Sequence, residues 1–346
     1  MSMFEISIKK QEMILDVVED YTLSSVLRNQ KVVSLLSTEE FHKMVSQGDQ
    51  KVLDSAVQNM ESAGIKIITI FSENYPKMLK NLPERPMLLY AKGDLSLLDD
   101  KCIAMVGTRT PTNYGKLITE KFAKELAQSG FVIVSGLCYG IDEIAHKGAL
   151  SVNGKTIAVV GSGFNNIYPA TNFALANEIA EKGLLLSEYP PSFRAKRYTF
   201  PKRNRIVAGL SMGVIITEAS IKSGTLHTKE YALEYGKDVF AVPGNVNSTK
   251  SELTNSLIRS AQAECMLSAD DVIAFYGMTK KAKEKKLVTL SFDEQVIVDL
   301  LKNAERDFDY LVENSKIPVN ILNSCLTTLE IRGLIRKLPG KFYALL

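Results

Sequence analysis

Read from its amino terminus, the chain changes hydrophobic rhythm three times. MILDVVEDYTLSSVLRN, EEFHKMVSQG and QKVLDSAVQNMESAG carry apolar residues at helical spacing, and Gly64 stands where the last helix should stop. IKIITIF then alternates as a strand, and the Pro-punctuated connector NYPKMLKNLPERPMLLYAKGD ends in MLLYA. From residue 101 to residue 276 the pattern becomes short, β-branched apolar runs: CIAMVG, FVIVSG, TIAVVG, LLLSE, GVIIT and DVFAV. Helical stretches such as YGKLITEKFAKELAQSG and GTLHTKEYALEYG separate them. Strands without polar alternation are buried on both faces, so this order predicts an α/β fold, a doubly wound, Rossmann-like parallel sheet of about six strands. Beyond the basic run TKKAKEKKL at 279–287, FDEQVIVDLLKNA, DYLVENS and VNILNSCLTTLEIRG read as three helices. LIRKL and KFYAL follow as two strands around Pro339-Gly340, the order of a winged helix. The expected domains are a helical one at 1–75, the α/β core at 76–276, a linker at 277–288 and a winged helix at 289–346.

Composition narrows the class. An apolar share of 45 % over 346 residues is ample for a core and excludes a wholly disordered chain. No apolar run approaches the ~18 residues of a membrane span, and the amino terminus lacks the pattern of a secretory signal. Cys102, Cys138, Cys265 and Cys325 form no CxxC pair, and three of them lie in apolar stretches that read as core. A disulfide framework is therefore not expected, and a reducing, cytoplasmic setting is. His42, His146 and His227 lie too far apart along the chain to suggest a metal centre. The formal charge is only +3, so the placement of charge, not its sum, must speak about nucleic acid.

Ligands of doubly wound sheets gather at the carboxyl ends of the strands, so the loops there carry the candidate chemistry. After CIAMV, Gly107, Thr108 and Arg109 precede a helix beginning near Tyr114, whose amides and the forked cation of Arg109 suit a phosphate; a plain turn with a solvated arginine is the bland alternative. After FVIVS, Gly136 and Gly140 bracket a loop in which Asp142 reads as a helix cap and His146 as a packed or surface residue. After TIAVV, Gly161 and Gly163 resemble the start of a dinucleotide fingerprint, with Glu188 about 20 residues on. Asn166 stands where its third glycine belongs, and no cofactor is expected. After LLLSE, Arg194, Lys196, Arg197, Lys202, Arg203 and Arg205 crowd around Tyr198 and Phe200 with no acid among them. Cations interleaved with rings suit single-stranded nucleic acid, the cations tracking phosphates and the rings stacking on bases; Phe200 tucked into the core is the alternative. After GVIIT, Ser223, Gly224 and Thr225 open a further helix. No Walker A motif, nucleophile elbow or metal-binding set of carboxylates accompanies these loops.

The ordered blocks VGTRTPTNYG, SGLCYGIDEIAHKGAL, AVVGSGFNNIYPATN, LLSEYPP, FPKRNRIVAGLS and SGTLHTKEYALEYGKDVFAVPG resemble the DNA-processing protein A family (DprA/Smf), over roughly residues 75–276. The resemblance implies a core that binds single-stranded DNA and loads the RecA recombinase during natural transformation, acting as a dimer. It places the pocket at Arg109, at Phe200 with Pro201, Lys202, Arg203, Asn204 and Arg205, and at Arg197, or Lys196 if the loop is shifted. The small-residue loops at Gly107–Thr108, Gly136, Gly161, Gly163 and Ser223–Thr225 complete it, and the dimer interface falls near Leu257 and Ile258. Against the family pattern, Thr108 replaces a serine, His227 an apolar residue, and Ala261-Gln262 a Gly-Ala pair. The N-terminal segment lacks the glycine-bearing hairpins of helix-hairpin-helix motifs.

Two other classes compete with a non-enzymatic mediator: a nucleotide-cleaving hydrolase on a related fold, and a nucleotide-sensing protein with the winged helix as output. The first would need an acid and base pair, and SGT stands where such enzymes carry a PGG-type loop. The third helix of the winged helix, VNILNSCLTTLEIRG, carries one cation, Arg332, at its far end, so it is expected to dock protein or to act as a weak accessory DNA element.

Overall fold

The computed structural model describes residue 6 and residues 8–18, 23–47, 50–278, 290–302 and 304–345; the basic run at 279–287 lies outside them. The chain divides into two compact units, residues 1–281 and residues 282–346.

Among the described residues, five helices open the first unit: α1 (Ile8–Val17), α2 (Leu23–Arg28), α3 (Gln30–Leu35), α4 (Thr38–Gln47) and α5 (Gln50–Ser62). Ile14, Val18, Val26, Val32 and Met44 form their apolar cluster. Gly64, at φ 71°, ends the helical run in the left-handed region where glycine is favoured. Next come β1 (Lys66–Thr69), α6 (Lys77–Lys80), β2 (Leu88–Gly93), β3 (Cys102–Val106), α7 (Asn113–Gln128), β4 (Val132–Ser135), α8 (Ile141–Ser151) and β5 (Thr156–Val160). The unit continues with α9 (Phe173–Lys182), β6 (Leu184–Ser187), α10 (Thr199–Leu210), β7 (Gly213–Ile216), α11 (Thr225–Glu234), β8 (Asp238–Ala241), α12 (Glu252–Arg259), β9 (Glu264–Cys265) and α13 (Ala269–Phe275).

The strands form one nine-stranded sheet in the order β1-β2-β6-β5-β4-β3-β7-β8-β9. The six expected strands are its parallel centre, β3 to β8. The count differs because β1 and β2 extend the edge beside β6 in antiparallel pairing and the two-residue β9 joins the far edge. Thus residues 66–69, read as a strand but grouped with the domain expected at 1–75, belong to the sheet. Ile103, Met105, Ile133 and Ile215 face α7, α8 and α13, while Ala104, Val106, Val134 and Val214 face α10, α11 and α12. Burial on both faces is what the unbroken apolar runs require. Leu257, expected at a dimer interface, is instead buried in this core, and Ile258 packs half-buried against it. Cys102 and Cys138 are buried, but Cys265 is exposed because it lies on the edge strand.

The chain steps from β3 through β4 and β5 to β6, then returns to β7 on the opposite side of β3. The loops leaving β3 and β7 therefore diverge, opening a crevice at the carboxyl ends.

The second unit comprises α14 (Phe292–Leu301), β10 (Arg306–Asp307), α15 (Phe308–Ser315), α16 (Val319–Ile331), β11 (Ile335–Leu338) and β12 (Phe342–Leu345). Its antiparallel sheet runs β10-β12-β11, adding one short strand to the expected hairpin. Ser291 and Glu294 close a capping box on α14. Ile297, Leu311, Leu322, Leu326 and Ile335 form its core, and the arrangement is a winged helix. Among the described residues, no helix is long and apolar enough to cross a membrane.

His146 on α8 is wholly buried, with Nδ1 2.6 Å from Thr156 Oγ1. Thr156 Oγ1 already donates to the Ile133 carbonyl, so the histidine must be the donor, protonated at Nδ1 and neutral. Burial, reinforced by the charge of Arg203, holds its pKa down at about 3. Unfolded, the ring titrates at its ordinary value, so below pH ~6.5 the unfolded chain takes up a proton that the folded one refuses. Stability from this group is present above that pH and lost on acidification. His146→Leu is expected to remove a decline on the order of 2 kcal/mol between pH 7 and pH 5, read as the difference in unfolding free energy by urea denaturation.

Candidate functional site

The crevice holds a cavity of about 560 Å³. The loop after β3 supplies Gly107, Thr108 and Arg109; that after β4 supplies Gly136 and Cys138, with Asp142 from the first turn of α8; the turn into α11 supplies Ser223, Gly224 and, as its first residue, Thr225. Tyr168, Arg197, Phe200, Arg203, Asn204 and His227 complete the wall.

Phe200, in the first turn of α10, is half-buried and lines the cavity. The guanidinium of Arg109 lies over its ring, Cζ 5.5 Å from the centroid, and Tyr168 stands beside it at 5.5 Å with the planes inclined by 59°. Arg109 and Arg197 are exposed, so charge and aromatic face reach the same space.

Arg203 plays a different part from Arg109. It is 3 % exposed, and its Nη1 donates to the carbonyls of Gly136 and Val159, while Nη2 reaches Cys138 Sγ at 3.3 Å. A Cβ at position 136 would collide with this guanidinium, which explains the glycine. Asp142 lies buried beside it. Burial raises the Asp142 pKa, against the opposing pull of Arg203 and of the Cys138 amide, which donates to Oδ2 at 3.3 Å. The expected cap role for Asp142 is corrected: Gly140 is the N-cap of α8, and Asp142 sits within the first turn.

Arg205 does not join the cavity. It lies about 200° around α10 from Arg203, only 1 % exposed, with Nη2 2.6 Å from both carboxylate oxygens of Glu188. The acid that a dinucleotide reading would place on a ribose is thereby committed to a part-buried ion pair. Lys202 is also outside the wall, its Nζ 5.6 Å over the Tyr198 ring. Gly161 and Gly163 do not line the cavity; a Cβ on Gly161 would meet Thr199 and Phe200 at 3.3–3.4 Å. One on Gly163 would strike the carbonyls of Pro190 and Pro191, so this glycine seats the basic–aromatic loop.

The amino terminus of α7, expected to face a ligand anion, is filled from within. Glu218 Oε2 accepts from the Thr112 amide at 2.8 Å and Oε1 from the Thr112 hydroxyl at 2.6 Å, and that hydroxyl caps the Gly115 amide. An internal carboxylate thus neutralises the helix end. At α11, by contrast, the turn is closed by Ser223 Oγ, which accepts from the Thr225 amide at 3.2 Å, and it borders the cavity.

The pattern of the sequence pointed past Tyr168 and Cys138, which it placed in loops without assigning chemistry. An aromatic in the loop after β5 was the available signal for Tyr168.

The two arginine classes separate by stability. Arg205→Ala leaves Glu188 unpaired and should cost roughly 3–5 kcal/mol; Arg109→Ala should cost no more than ~1 kcal/mol. Chemical denaturation of both variants checks the contrast, and equal losses would erase it.

A family model described as DNA recombination-mediator protein A matches residues 66–277, and one described as the DprA winged helix domain matches residues 281–341. The chain is 44 % identical over 210 residues to the DNA processing protein DprA of Bacillus subtilis, covering 60 % of this chain and 70 % of that protein. Among solved structures, DNA processing protein A of Streptococcus pneumoniae is similar at a TM-score of 0.69 and 35 % identity, covering 79 % of this chain and 93 % of that one. DNA processing protein A of Helicobacter pylori, whose structure concerns its single-stranded DNA binding mode, is similar at 0.56 and 38 % identity, covering 61 % and 95 %. With its sheet, its crevice and both matched regions, this chain belongs to the DNA-processing protein A (DprA/Smf) family.

Proposed function

We propose that the cavity binds single-stranded DNA and that the protein is a recombination mediator, protecting incoming single strands and loading RecA during natural transformation. The observation that carries the reading is the Arg109 guanidinium over the half-buried ring of Phe200, with Arg197 on the same wall. A phosphate can be met by the cations while its base stacks on the ring, a combination that tolerates any sequence. The Helicobacter pylori relative, a single-stranded DNA binder, supports it. The protein works in the cytoplasm as a homodimer, through surface other than the buried Leu257. A binding role, not a hydrolytic one, is favoured because the carboxylates near the cavity are engaged: Asp142 with the Cys138 amide, Glu218 with Thr112.

The winged helix is accessory in this reading. Along α16, Asn320 and Asn323 are exposed, and Arg332 at its end is paired with Glu294, Nη1 to Oε2 3.2 Å. Groove-reading helices present cations and amides to bases and phosphates, which this one offers sparsely.

Affinity for labelled single strands over a salt series tests the site. Arg109→Ala should weaken binding to all sequences alike and reduce the log–log salt slope by ~0.7; an unchanged slope removes Arg109 from the phosphate path. Phe200→Leu should bind nearly as poorly as Phe200→Ala, a loss of ~1–3 kcal/mol, while melting close to wild type. Binding restored by leucine would make the ring a packing element only. Removal of residues 279–346 should change single-strand affinity by no more than about threefold, under ~1 kcal/mol; a tenfold loss would make the winged helix a principal DNA-binding domain.

A further inference from the structure

Of the side chains lining the cavity, His227 is the one whose ordinary pKa, about 6.5, lies closest to neutrality. It sits in the first turn of α11, immediately after the Ser223–Thr225 turn, and its side chain is 50 % exposed. Its charged neighbours can be followed element by element. On its own helix, Glu230 lies 3.4 Å from Nδ1, and Lys229 and Glu234 are further along. From α10, which packs along α11, Arg203 shares the cavity, while Lys202 lies over Tyr198 and Arg205 is paired with Glu188. The strands beneath contribute Asp238, which accepts from the Tyr276 hydroxyl at 2.7 Å. The loop before α11 contributes Lys222 and Glu218, the latter bound to Thr112. Across the cavity stand Arg109, Arg197 and the buried Asp142.

We propose that His227 is a protonation-gated phosphate contact of this cavity, a residue that adds a positive charge to the wall when a DNA phosphate occupies it. The proposal rests on the reading of the cavity as a single-stranded DNA site. An imidazole beside a bound phosphate is stabilised in its charged form, so its pKa rises on binding. Binding then takes up a proton, and affinity increases as pH falls through the ordinary histidine range. The gain is bounded by the neighbouring charges: the Glu230 carboxylate stands 3.4 Å from Nδ1, and Arg109, Arg197 and Arg203 share the wall.

The test uses the full-length protein and a labelled oligothymidylate, whose base does not titrate in this window. Wild-type affinity should rise about five- to sixfold from pH ~8 to pH ~6, the order expected for a shift of about one pKa unit. The log–log salt slope should steepen by up to ~0.7 over the same interval. His227→Gln should bind at the wild-type high-pH level throughout, and His227→Lys at the low-pH level throughout. A parallel pH course in wild type and His227→Gln overturns the proposal, as does a pH-independent wild type or a uniform loss in His227→Gln at both ends. If neither wild type nor Arg109→Ala binds the oligonucleotide at any pH, the reading of the cavity itself fails; wild-type binding sensitive to Arg109→Ala but indifferent to His227 removes this proposal alone.

Discussion

The buried guanidinium of Arg203 is the point on which the site is assembled. It reaches from α10 to the carbonyl of Gly136 after β4 and to that of Val159 in β5, and it contacts Cys138. Two strand ends and a helix are thus held in fixed relation by one planar group with several donors. Removing a charge of this size from water is costly unless its donors are satisfied. The nearby groups answer to that constraint: Gly136 has no side chain to obstruct it, Asp142 provides opposing charge, and His146 stays neutral. Phe200 lies one turn earlier on the same helix, α10.

A second consequence is a division of labour among charges. Glu218 neutralises the amino terminus of α7, and Glu188 neutralises Arg205 on the far side of α10. The fold uses its own carboxylates to satisfy the ends and faces that hold it together. Exposed cationic side chains remain at the mouth, where Arg109 and Arg197 stand beside the rings of Phe200 and Tyr168. Such a surface has the means to hold a phosphate and a base together. The acids around it are turned to structural work, in keeping with binding as the proposed role.

The fold class was legible along the chain because each central strand is apolar on both faces, a pattern that only a covered parallel sheet explains. The winged helix was legible for a related reason, the order of three helices and a hairpin around Pro339-Gly340. The loops at the strand ends followed from topology, and with them Gly107, Arg109, Gly136 and Ser223–Thr225, which the structure brings around one cavity. The edge strands were not counted with the sheet because β1 and β9 are short and gain their identity from pairing with β2 and β8. Local pattern records burial, whereas pairing depends on what the rest of the chain presents.

Within the basic stretch the same distinction is sharper. Composition established that cations and aromatics cluster between Arg194 and Arg205, and nothing in spacing along the chain ranked them. Coiling into α10 did, turning Phe200, Arg203 and Asn204 towards the crevice and Arg205 away from it. Depth then separated Arg203, sealed under the floor, from Arg109, open above Phe200. Likewise the sequence identified a helix start near Tyr114, but only the fold could show Glu218, more than a hundred residues later, already occupying it. The sequence by itself determined which residue types and strand ends were available for a site. Tertiary structure decided which charges satisfy one another and which are left to meet a ligand, because that choice rests on distance and burial between residues far apart in the chain.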